Sequence, residues 1–194
     1  MLILVRHGRT ASNAAGLLLG RANPSLDETG KTQARDLGRV ITEISPARVI
    51  SSPLVRARET AEAFGVPITV DERWIELDYG EFDQLPMQDV PIETWARWRN
   101  DPSFEPPGGE SLVTLGRRVG EACGELVEEA NTSDIVVVTH VSPIKAAVAW
   151  ALQVGDEIAW KMHVSPASIT RIAIAPLGAS LVSFSEVHHL TSTP

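Results

Sequence analysis

A single cysteine, Cys123, stands among the 194 residues. One thiol cannot form an intrachain disulfide, so packing must hold this chain together, and the redox compartment is only weakly constrained. Long apolar runs are missing too: none approaches the roughly 20 residues of a membrane-spanning helix. The start, MLILVRHG, has too short an apolar part for the core of a secretory signal. Positive charge is scarce. The formal net charge is −8 with the histidines neutral, which argues against the basic face of a nucleic-acid binder. It leaves room for a small anion, because a site feels its local charges. Internal repeats, low-complexity tracts and linkers are absent. The expectation is one cytoplasmic domain over residues 1–194, with no nucleic acid and no membrane among its partners.

What is present is a chain that is 43% hydrophobic with ordinary glycine and proline, enough for a packed core. Near-continuous apolar runs at residues 2–5 (LILV), 47–51 (ARVIS) and 134–139 (DIVVVT) suit strands buried on both faces. Two further β-rich runs, 168–175 and 179–186, follow each other closely around Pro-Leu-Gly and predict an antiparallel edge. Helical periodicity lies between them. Ala34, Leu37, Ile41 and Ile44 recur at steps of three and four, as do Leu112, Leu115, Val119, Cys123, Leu126 and Val127, and Ile144, Val148 and Leu152. Strands alternating with helices predict an α/β fold, a three-layer α/β/α sandwich around a mostly parallel sheet. Residues 74–111, rich in proline, acids and tryptophan, break the rhythm and read as a lid insertion with a short helix near IETWARWRN.

The polar residues cluster where strands end. Arg6 and His7 follow the first run, Ser51 and Ser52 the second, and Thr139 and His140 close the third. Ligands of open α/β sheets bind outside the carboxyl ends of strands. After Ser52, Pro53 suits the first turn of a helix, which sets Arg56 near a helix N-terminus, where an anion is already favoured. Two arginines can grip a phosphate bidentately. The same rim would collect two histidines beside them, provided the three strands are neighbours.

Four segments in this order, LVRHGRTASN, SSPLVRARETA, ELDYGEF and VVTHVSPIK, resemble the histidine phosphatase superfamily, on the side of its phosphoglycerate mutase-like branch that holds broad-specificity phosphatases. NPSLDETGKTQA and PPGGES add to the likeness, which runs from about Leu2 to about Leu152. The resemblance implies roles. His7 matches the nucleophile; Arg6, Arg56 and His140 match the residues that clamp the phosphoryl group. Asn13 matches a further polar contact. Glu76 matches the proton donor, with Glu81 and Asp78 as rivals. Three positions depart from the pattern. Arg9 stands where an acid or amide is usual and is a candidate anion contact. Val141 replaces a glycine but keeps its N–H for the phosphate, and Gln84 replaces a glycine of the lid.

The chemistry implied is transfer of a phosphoryl group to a neutral imidazole, which neighbouring arginines help to keep neutral. One ring nitrogen must be held, a backbone carbonyl being a natural partner, so that the other faces phosphorus. The arginines supply the positive charge, so no metal and no cofactor is expected. The partners are a small phosphorylated metabolite and inorganic phosphate, with a homodimer left open. A phosphoglycerate mutase-type phosphotransferase and a non-catalytic adaptor are the alternatives. Cys123 reads as a core thiol, His188 and His189 as exposed tail residues, Trp95 and Trp98 as packing residues of the lid helix with contact to a substrate as the alternative, and His163 is unassigned.

Overall fold

The computed structural model describes residues 1–191. Six strands form one mixed sheet: β1 (Leu2–Arg6), β2 (Arg48–Ser51), β3 (Ile68–Val70), β4 (Ile135–Thr139), β5 (Ile169–Ala175) and β6 (Gly178–Glu186), in spatial order β3-β2-β4-β1-β5-β6. The four strands from β3 to β1 run parallel. β5 is antiparallel to β1, and β6 is antiparallel to β5, so the antiparallel part takes in both last strands. The three runs that end in polar residues are therefore neighbours at the middle of the sheet.

Alternation along β1 and β4 divides the core in two, because successive strand side chains point to opposite faces. Leu2, Leu4, Ile135 and Val137 pack on one side with the helices α5 (Leu112–Thr132) and α6 (Val141–Leu152). Ile3, Val5, Val136 and Val138 pack on the other with α2 (Glu28–Ile44) and α3 (Val55–Glu62). The result is the expected three-layer sandwich. Helix starts follow the capping residues: Asp27 accepts from Gly30 N–H at 2.7 Å, and Ser111 from Thr114 N–H at 3.2 Å. The short α1 (Ala11–Ala14) begins in a capping box between Thr10 and Asn13. Cys123 is buried in the core, as its place on the apolar face of α5 predicts.

Some expectations need correction. Pro53 lies ahead of α3, whose N-cap is Leu54. β3 escapes the sequence pattern because it is three residues long, at the sheet edge, with Thr69 and Val70 exposed. His188 is exposed, but His189 is half-buried and its Nε2 meets the Ala167 carbonyl at 3.0 Å.

The excursion over residues 74–111 is tied down rather than loose. Its helix α4 (Ile92–Asn100) places Trp98 with no solvent exposure, stacked on Trp95 at 5.7 Å between ring centroids. Tyr79, Phe104 and Trp160 meet Trp98 edge-on at 5.6, 6.1 and 6.0 Å. Trp160 belongs to a second excursion, the 3₁₀ segment Asp156–Lys161, so the aromatic cluster joins the two.

The loop after β1 lies directly on the first turn of α2. A Cβ on Gly8 would come within 2.5 Å of the Gly30 carbonyl oxygen, and one on Gly30 would run into the Arg9 carbonyl oxygen. Both obstacles are backbone, so neither moves cheaply. Gly30→Ala is expected to destabilise the fold by about 1–3 kcal/mol, as overpacking does. Gly124, in the middle of α5, is exposed with nothing within 4 Å of its missing Cβ. Gly124→Ala should stabilise by about 0.5–1 kcal/mol through helix propensity. Thermal denaturation of the two variants checks both signs; a Gly30→Ala protein as stable as wild type would remove the steric argument.

Candidate active site

In-register pairing sets Arg6 opposite Thr139, and Ser51 opposite Val138. Beyond the last pairs the backbone bonds continue: His7 N–H donates to the Thr139 carbonyl at 3.0 Å and Ser52 N–H to the Val138 carbonyl at 2.9 Å. Arg6, His7, Ser52 and His140 thus leave the sheet together. The rings of His7 and His140 are 5.0 Å apart between centroids.

The partners of His7 dictate its tautomer. Nδ1 lies 2.7 Å from the Gly8 carbonyl oxygen, which can only accept, so Nδ1 carries the proton. Nε2 receives the Nε–H of Arg56 at 3.2 Å; a guanidinium can only donate, so Nε2 presents its lone pair. Burial lowers the His7 pKa well below its ordinary 6.5, and the charges of Arg56 and Arg6 push the same way, so the ring is neutral.

Arg56 is itself held. Its two Nη atoms donate to the Ala22 and Gly20 carbonyls at 2.7 and 2.8 Å. That loop hangs on Asp83, whose carboxylate accepts from Gly20 N–H at 2.8 Å and Ala22 N–H at 2.7 Å. Thr60 Oγ1 donates to the Arg56 carbonyl at 2.7 Å and accepts from Gly8 N–H at 3.0 Å. The N-terminus of α3 is capped by the protein itself, since Val55 N–H donates to Asn23 Oδ1 at 2.7 Å. Burial brings the Arg6 and Arg56 guanidinium groups down to about 10, so both remain charged at neutral pH.

Arg6 Nη1 donates to the Val164 carbonyl at 2.6 Å, while its buried Nε meets no protein group among the described residues. His140 Nε2 shares a hydrogen with Ser52 Oγ at 2.7 Å, and its buried Nδ1 is without a partner in the same sense. The His140 pKa is also lowered, first by burial, then by Arg56, His7 and Arg6.

A cavity of about 420 Å³ opens over this cluster, with Arg6, His7, Asn13, Glu76 and Val141 in its wall. Arg56 and His140 lie immediately behind, with no exposed surface. Glu76 Oε1 accepts from Leu77 N–H at 2.8 Å and from Ser142 N–H, in the first turn of α6, at 3.1 Å. Arg118 steadies the backbone beneath: Nη1 donates to the Arg73 carbonyl at 2.6 Å, Nη2 to the Glu76 carbonyl at 3.3 Å, and Nε pairs with Glu110 at 2.7 Å.

Of the three rival acids only Glu76 reaches the cavity. Glu81 is exposed, and Asp78 caps Gly80 N–H at 2.9 Å. Arg9 is a correction: its guanidinium turns to Asp27 at 2.8 Å and Thr29 at 2.7 Å and takes no part in the cavity wall. Asn13 Oδ1 accepts from the Thr10 N–H and hydroxyl while the residue faces the cavity. Trp98 is a packing residue as expected, but Trp95 also lines the cavity, with Trp160, Met87, Lys145 and His163. The sequence reading missed Lys145, although it stands one helical turn after Val141 and so on the same face. Nothing local marked Arg118 or Asp83, which act through chain segments distant in sequence. Among the described residues no three His, Cys, Asp or Glu side chains gather as a metal site, and no helix is long and apolar enough to cross a membrane.

A pH dependence of stability follows. In the unfolded chain a histidine takes up a proton near pH 6.5; folded His7 and His140 refuse it until the pH is much lower. Their contribution is complete above about pH 6.5 and is lost as the pH falls towards the folded values. The thermal midpoint in phosphate-free buffer should therefore drop between pH 7.5 and pH 5, and less steeply in His7→Asn and His140→Gln. Equal slopes in wild type and both variants would contradict the burial of neutral imidazoles.

Comparison with known proteins points the same way as this geometry. The family model described as "Histidine phosphatase superfamily (branch 1)" matches residues 2–187. The bifunctional protein Rv2228c of Mycobacterium tuberculosis is 33% identical over 189 residues, covering 93% of this chain and 52% of its own length, so this chain spans about half of that relative. Phosphoserine phosphatase 1 of Hydrogenobacter thermophilus is 32% identical over 179 residues, covering 88% of this chain and 85% of its own. Among solved structures, a mycobacterial glucosyl-3-phosphoglycerate phosphatase in complex with VO3 superimposes with a TM-score of 0.87 at 28% identity, over 96% of this chain and 98% of that one.

Proposed function

The chain belongs to the histidine phosphatase superfamily, and on that premise we propose that it is a metal-independent phosphomonoesterase that works through a phosphohistidine on His7. The observation that carries the reading is the pair of hydrogen bonds on the His7 ring. They leave Nε2 unprotonated beside two guanidinium groups at the wall of a cavity.

An incoming phosphoryl group competes with Nε2 for the donors of Arg56 and meets the free Nε of Arg6, which releases the lone pair. Nε2 then attacks phosphorus in line and the ester P–O bond breaks. The positive charge that develops on the ring is met by the Nδ1–H···O=C bond to Gly8. Arg6, Arg56, His140 and the first-turn N–H of Val141 hold the equatorial oxygens, with Asn13 as a further contact. Preorganised donors of this kind act where charge develops. Glu76, protonated, gives its proton to the departing oxygen. As carboxylate it then takes one from the water that attacks phosphorus, and the P–N bond breaks to release inorganic phosphate and neutral His7. The substrate class is small phosphorylated metabolites. A cavity of about 420 Å³ suits them, and relatives carry names of phosphatases acting on phosphoserine and glucosyl-3-phosphoglycerate.

His7→Ala is expected to abolish phosphate release while the fold survives, and wild-type enzyme quenched in turnover should carry acid-labile, base-stable phosphate on His7. Wild-type turnover in the variant ends the proposal. Chelators should not alter activity. Glu76→Gln is expected to slow hydrolysis of alkyl phosphates by about 10²-fold or more. It should slow a p-nitrophenyl ester less, since that leaving group departs without a proton. If the leaving-group-dependent loss appears in Glu81→Gln or Asp78→Asn instead, the donor has been misassigned.

A further inference from the structure

Lys145 lies in the second turn of α6, four residues after Val141, and so shares its face and lines the cavity. It is partly buried and forms neither an ion pair nor a hydrogen bond among the described residues, unlike Arg6 and Arg56, whose donors rest on carbonyls. The carboxylate in the same wall, Glu76, is bound to the N–H groups of Leu77 and Ser142 and forms no ion pair with the ammonium. A cation drawn partly out of water without a counter-ion is costly, and folds seldom keep one without use for it.

We propose that Lys145 is a specificity-determining residue that receives a second anionic group, carried by the alcohol part of the phosphomonoester. This rests on the phosphatase reading, because it takes Glu76 as the marker of the leaving-group side. Lys145 stands three residues after Ser142, whose N–H holds the Glu76 carboxylate, and lines the cavity together with Glu76, whereas Arg56 and His140 lie behind the wall. Its ammonium therefore belongs to the side where the ester oxygen departs and not to the pocket between Arg56 and His140. Met87, Trp95, Trp160 and Met162, which line the same cavity, offer a carboxylate or second phosphate no charged partner. Lys145 is thus the group there that distinguishes an acidic from a neutral leaving group.

The test compares 3-phosphoglycerate with glycerol 3-phosphate, which differ by a carboxylate against a hydroxymethyl group. Fructose 1,6-bisphosphate against fructose 6-phosphate shows whether a second phosphate serves instead. Wild-type kcat/KM should favour the acidic member of at least one pair by about ten-fold or more, as a hydrogen bond to a charged group allows. Lys145→Met should shrink that ratio by a similar factor, and Lys145→Arg should restore most of it. A wild-type ratio near one for both pairs, or a ratio that Lys145→Met leaves within two-fold, overturns the proposal even if every ester is hydrolysed. If no ester is hydrolysed and His7 is never phosphorylated, the phosphatase reading is what fails. Calorimetric binding of the same pairs to wild type and Lys145→Met then decides Lys145 by the same ratios.

Discussion

The in-register parallel pairing of β1 with β4 is the constraint on which the site depends. It sets Arg6 against Thr139, so that the next residue of each strand, His7 and His140, emerges at one height with ring centroids 5.0 Å apart. A slip of one residue would turn each strand's core side chains to the wrong face. Here both faces of β1 and β4 are buried against helices, so a slip would have to repack side chains of different shape in both close-packed layers. The hydrophobic core thereby determines where the charged groups stand.

Around that axis, backbone carbonyls and amides manage charge that the interior would otherwise reject. The buried guanidinium groups sit on carbonyls of loops that the sheet does not contain: Gly20 and Ala22 for Arg56, Val164 for Arg6. Asp83 organises the first of those loops from within the 74–111 excursion. Through this chain of contacts the excursion helps to set the position of the ring it covers. Burial first, and then the same cations, keep both histidines neutral, so the arrangement that attracts an anion also leaves a lone pair on His7.

Much of the architecture was legible in the residues. Continuous apolar runs marked β1, β2 and β4, and the steps of three and four marked α2, α5 and α6, of which α2 and α5 begin at capping residues. The short edge strand β3 carried no such pattern, because half-exposed Ile68 and exposed Thr69 and Val70 bury too little to need one. At the site, the resemblance brought Arg6, His7, Arg56, Glu76 and His140 into one list, and the fold gathers all five. It could not tell that Arg9 would turn to Asp27, because that ion pair depends on how the loop after β1 lies on α2. Nor could it separate Trp95 from Trp98, three residues apart on one helix, since the bottom of an aromatic cluster and the wall of a cavity look alike in sequence.

The sequence by itself determined the periodicities, and with them the layers, the central strands and the polar residues at the strand ends. These are properties of neighbours along the chain, where spacing alone decides which side chains share a face. The tertiary structure decided that Nε2 of His7 meets Arg56, which of three acids faces the cavity, the supports lent by Arg118 and Asp83, and the partial burial of Lys145 without an ion pair among the described residues. Most of these rest on contacts between segments tens of residues apart, such as Arg56 on His7, Ser142 on Glu76 and Asp83 on Gly20. A hydrogen bond or a charge pairing of that kind is settled by distance in space, and only the folded chain supplies that distance.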